Sequence, residues 1–135
     1  MAITSNGDFI LISSGGIMYK CMRDGTPLWS RRLIHVGKEK YPRAVCLKSQ
    51  EQIIVGIFTD VVIYSRDGIQ VGTLDKKLSP YGICVDLEDN ILVADDMQPK
   101  IMLFNRSGTF IRELVSIDGK PGSITLPKRK ALPWL

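Results

Sequence analysis

The chain repeats itself, and the period limits what it can fold into more than any other feature. The tripeptides Arg23-Asp24-Gly25, Arg66-Asp67-Gly68 and Arg106-Ser107-Gly108 recur at intervals of 43 and 40 residues. Each follows an apolar run: Ile17-Met18-Tyr19, Val61-Val62-Ile63-Tyr64 and Ile101-Met102-Leu103-Phe104. A second apolar run lies upstream every time, from Phe9 to Ile12, Ile53 to Val55 and Ile91 to Ala94, introduced by polar turn residues such as Ser5-Asn6-Gly7-Asp8 or Glu88-Asp89-Asn90. Pro42 to Leu47 and Pro80 to Val85 match one another as opening segments, and Pro121 to Leu126 reads as the opening of a fourth copy. Met1 to Thr4 reads as the tail of that segment in the first copy. A period near 40 residues is that of a repeat architecture, in which each unit buries its apolar faces against its neighbours.

The runs are four to six residues long and rich in Ile, Val, Tyr and Phe, with Gly, Asp, Asn and Pro clusters between them. That is strand chemistry. Segment 51–64 can be forced into a helical pattern, but its β-branched content and Gly56 oppose a helix. Each unit reads as four antiparallel strands, and the runs are apolar at nearly every position instead of alternating. Sheets covered on both faces read this way. Radial stacking of four-stranded sheets covers both faces, so the expectation is an all-β chain of propeller blades. Residues 1–126 supply about three of them, and 127–135 form a basic and apolar tail, with Lys128-Arg129-Lys130 ahead of Ala131-Leu132-Pro133-Trp134-Leu135.

With 44% hydrophobic and 24% charged residues in 135, the chain has the composition of a folded domain and not of a disordered one. The run Phe9 to Ile12 is too short for a leader core or a membrane span. Cys21, Cys46 and Cys84 are odd in number and lack CxxC spacing, so they read as small buried apolar residues in a reducing, cytoplasmic setting.

Residues 79–115 resemble an NHL repeat. Pro80, Gly82, Val85-Asp86, Asn90-Ile91, Val93-Ala94-Asp95, Ile101, Phe104, Gly108 and Phe110 occupy the characteristic positions of that family. The Ala94-Asp95 pair becomes Gly56-Ile57 in the second copy and Ile12-Ser13 in the first, so those two copies are degenerate. The resemblance implies a six-bladed propeller of the kind often found in tripartite-motif (TRIM) ubiquitin ligases, where it selects a protein or RNA partner. Ligase activity would require a RING domain, which this chain lacks. The resemblance therefore implies a non-enzymatic interaction module.

Three blades are half of such a ring. The expectation is a homodimer that closes six blades, or a segment of a longer propeller, because an open arc leaves apolar blade faces in water. By the family's topology, the loops entering each opening strand share a rim with the loops between second and third strands. Lys38, Lys40, Tyr41, Arg43, Lys76, Lys77, Tyr81, Lys100 and Lys120 are the candidates there for holding a protein partner. The alternative ligand for the same residues is single-stranded RNA, held by phosphate contacts and base stacking. A third alternative is a channel-metal enzyme similar to gluconolactonase-like propellers. With His35 as the single histidine, a multi-histidine metal site is excluded within one chain, and neither cofactor nor metal is expected. Asp95 reads as a turn acceptor and not as a calcium ligand.

Overall fold

The computed structural model describes residues 1–13, 15–33, 41–96 and 100–116. The first repeat forms β1 (Ala2–Ile3), β2 (Phe9–Ile12), β3 (Ile17–Cys21) and β4 (Pro27–Arg32). The second forms β5 (Pro42–Leu47), β6 (Ile53–Ile57), β7 (Asp60–Tyr64) and β8 (Gln70–Thr73). The third forms β9 (Pro80–Val85), β10 (Ile91–Asp95), β11 (Lys100–Phe104) and β12 (Phe110–Ser116). Each set is a separate antiparallel sheet with its strands in chain order. The opening strands β5 and β9 lie against one another, as do β1 and β5, so the three sheets converge along their first strands. The expected strand 123–126 and the tail lie outside the described residues.

Alternation along the strands explains why the runs carry so few polar residues. In the second sheet, Ile53, Val55 and Ile57 of β6, with Val62 and Tyr64 of β7, pack against Ile10, Met18 and Leu33 of the first repeat. The intervening residues Ile54, Val61 and Ile63 point the other way, onto Ile83, Ile91, Val93, Met102 and Phe104 of the third. A sheet with a neighbour on each side needs apolar residues at odd and even positions alike. Trp29, partly buried, packs against the first seam. Across that seam Lys20 pairs with Glu51 at 3.2 Å.

The three repeated tripeptides close the turns between third and fourth strands. Gly25, Gly68 and Gly108 hold φ of 93, 81 and 90°, and their N–H groups donate to Met22, Ser65 and Asn105 carbonyls. Their surroundings differ in one respect. A Cβ on Gly68 would stand 2.8 Å from Arg31 and 3.0 Å from Trp29, and one on Gly108 would stand 3.2 Å from Leu74, so both turns sit on the outermost strand of the preceding unit or the segment just beyond it. A Cβ on Gly25 would meet nothing within 4 Å. Among the described residues, nothing fills the corresponding seat at the first sheet.

The strand positions agree. Ile53, Val55, Ile91 and Val93, which face the preceding sheet, are fully buried, whereas their counterpart Leu11 is 38% exposed. The outer face of the first sheet is therefore open among the described residues.

Candidate functional site

The rim at the start of β5 and β9 gathers exposed aromatic side chains. Tyr41 precedes β5, Tyr81 is the second residue of β9, and Phe58 sits in the tight turn between β6 and β7; all three are exposed. Hydrogen bonds tie together the segments that carry them. The Phe58 N–H donates to the Tyr41 carbonyl at 3.3 Å, and Arg43 Nη1 donates to Ser79 Oγ at 3.3 Å, two residues before Tyr81. Ser79 is itself fixed: its N–H donates to Asp95 Oδ1 at 3.1 Å, and its carbonyl accepts from the Asp96 N–H at 2.9 Å. Asp95 thus acts as an acceptor for the segment entering β9, sixteen residues away in the chain. Gly56 stands where the third copy has Ala94, and an added Cβ there would come within 3.0 Å of Pro80, so the departure from the repeat lets β9 approach β6.

Phe58 is a residue that sequence reasoning missed. It holds φ of 53°, a region that a bulky side chain rarely occupies. Its signal was a phenylalanine in a two-residue turn, where Gly, Asn or Asp is the usual choice. A hollow of about 160 Å³ opens beside this cluster, lined by Met1, Ile12, Pro42, Arg43, Ala44 and Val45. It is smaller than the usual small-molecule pocket, about 300 Å³ or more, and has room for a single side chain.

The cations expected on this rim are held in separate arrangements. Lys77 is paired with Asp60. Lys100 lies 3.1 Å from Glu113. Lys76 places its ammonium 4.1 Å over the Phe110 ring, and Asp75 Oδ1 beside it accepts from the Phe110 N–H, so this segment is drawn to the outermost strand β12 and away from Tyr81. Lys38, Lys40, Lys120 and His35 lie outside the described residues.

Burial pushes the thiols of Cys46 and Cys84 up to about 12, so both stay protonated and poorly nucleophilic near neutral pH. The three cysteines are free. Among the described residues no group of three or more His, Cys, Asp or Glu is placed to hold a metal ion. None of their helices is long and apolar enough to cross a membrane.

No family model matches the chain, and no curated protein matches it. Solved structures do. A streptogramin B lyase superimposes with a TM-score of 0.75 at 16% identity, over 93% of this chain and 43% of its own. The virginiamycin B lyase of Staphylococcus aureus gives 0.71 at 18% identity, over 90% and 42%. The WD40 domain of Neurospora crassa Pan2 gives 0.61 at 17%, over 82% and 36%.

The fold is an arc of a β-propeller. This chain spans less than half the length of each of these structures. The expectation of a non-enzymatic chain is corrected by them. Two are lyases, so this architecture carries catalysis as well as binding and gives no ground for excluding an enzyme. At these identities the likeness establishes the propeller and not its NHL or TRIM type.

Proposed function

We propose that the chain is a recognition module that takes a segment of a partner protein on the rim carrying Tyr41, Arg43, Phe58 and Tyr81. The observation that carries this reading is an exposed aromatic held at strained φ beside two exposed tyrosines and an arginine. Aromatic and arginine side chains dominate protein-binding hot spots, and strained backbone is retained where function needs it. The adjoining hollow is sized to accept one anchoring side chain. The resemblance of 79–115 to an NHL repeat supports the same role, partner selection. A protein is favoured over RNA because Lys76, Lys77 and Lys100 are each engaged by a ring or a carboxylate.

A photo-crosslinking residue placed at Tyr41 tests this reading in cells. The expected result is a discrete protein adduct that is lost with Arg43→Ala and with Phe58→Gly. Because glycine relieves the positive φ, Phe58→Gly should change stability by less than about 1 kcal/mol, so the loss reports binding and not unfolding. Adducts to RNA, or adducts unchanged by both substitutions, contradict it.

The occupant of the open face of the first sheet is a second copy of this chain. Two copies supply about the length of the solved propellers, and the seat at Gly25 has the form of seats filled elsewhere by the chain's own strands. Light scattering should return twice the 15.1 kDa chain mass. A monomer that keeps its strand content contradicts this assembly.

A further inference from the structure

The seam between the second and third sheets opens, on the rim opposite Tyr41 and Tyr81, into a cleft of about 370 Å³. Its origin is a broken repeat in turn chemistry. Where β9 passes into β10, Asp86 closes the turn with its side chain, accepting from the N–H groups of Glu88 at 2.8 Å and Asn90 at 2.9 Å. Thr4 does the same in the first sheet, accepting from the Asp8 N–H at 3.0 Å. The equivalent residue of the second sheet is Lys48, which keeps the backbone bond to Gln52 at 2.8 Å but has no side-chain acceptor to offer.

The turn it opens is therefore uncapped and irregular, with Gln50 and Glu51 both at φ 58°. The freed Lys48 side chain crosses the seam and donates to the Arg106 carbonyl. From the other side Asp89, at φ 65°, accepts from the Ser49 N–H at 3.1 Å and from its hydroxyl. Three of the four non-glycine residues at positive φ among the described residues stand in these two facing loops.

The cleft so formed has the parts of a small-molecule site. Its size falls within the usual range of about 300–1,000 Å³. Ile63 and Val71 supply an apolar wall, and Gly72 leaves space, since a Cβ there would meet nothing within 4 Å. Lys48 and Arg106 supply positive charge. Both oxygens of the one carboxylate lining it, Asp89, are already engaged by Ser49, and Glu51 is turned to Lys20. The Arg106 side chain is exposed and has no partner among the described residues.

From this geometry we infer that the cleft binds a small molecule bearing a carboxylate or phosphate group on a short apolar stem. Arg106, assisted by Lys48, takes the oxyanion, and the stem lies along Ile63 and Val71. The proposal is independent of the aromatic rim.

Amide chemical shifts of the full chain, titrated with hexanoate, hexyl phosphate and the neutral analogue hexanol, provide the test. The expected result is saturable movement of the Gln50, Gly72 and Ser107 amides with at least one of the two anions and none with hexanol. The tighter of the two identifies the oxyanion. Arg106→Gln should weaken binding about tenfold or more, the value of one charge-assisted hydrogen bond. Gly72→Ile fills the cleft without strain and should abolish binding. The inference is overturned if neither anion gives saturable shifts, if hexanol moves the same amides, if shifts appear instead at Tyr41 and Tyr81, or if Arg106→Gln binds as the parent chain does.

Discussion

Gly25, Gly68 and Gly108 are one residue used three times, and they separate local strain from packing. An L side chain at their φ costs about 1–2 kcal/mol in any of the three turns. Only at Gly68 and Gly108 does an added methyl also press on a neighbouring unit. Gly68→Ala is therefore expected to destabilise the chain by about 1–3 kcal/mol more than Gly25→Ala, a comparison that chemical denaturation midpoints of the two variants decide. Equal losses would mean that Gly68 is a turn residue and not a contact. At this scale the sequence was legible in part. The glycines announce the turns, but nothing in the residues of those turns distinguishes the filled seats from the empty one. Tyr41 and Tyr81 were identifiable as exposed rim aromatics from their places beside the opening prolines. Phe58 was not, because its importance lies in a backbone angle. For the lysines, sequence gives charge, but the partners Asp60, Glu113 and Phe110 appear only when the sheets are packed.

Strands were the most legible elements. Short apolar runs bounded by Gly, Asp and Pro marked them, and the fourth strand expected of the third unit is found as Phe110–Ser116. The run from Lys48 to Gln52 was the exception, because a lysine in place of Asp86 or Thr4 changes the turn's hydrogen bonding without changing its length. That substitution was visible, and its effect, an open cleft, was not. Burial orders the strands in stability. β6 and β10 are covered on both faces, while β1 has two residues and β4 is largely exposed. Amide exchange should be slowest in β6 and β10 and fastest in β1 and β4, since exchange follows local opening. Protection in β1 equal to that in β6 would contradict this ordering.

For the molecule as a whole, the central claim is that successive sheets stack face to face around an axis, each unit's third-to-fourth-strand turn seated on the outer edge of the unit before it. The period of the sequence implied such a stack, and likeness to solved propellers supports it, but neither says which face is left open. The seats do. Every functional proposal depends on that stacking, because it removes the sheet faces from solvent and leaves the rims and the inter-sheet cleft for recognition. The most direct measurement is the set of through-space proton contacts of the three repeated glycines in solution. The account predicts contacts from Gly68 Hα to the Trp29 indole and from Gly108 Hα to the Leu74 methyls, with none within the chain from Gly25 to any outer strand. A folded spectrum that lacks the first two contacts would contradict radial stacking and the functional reading built on it.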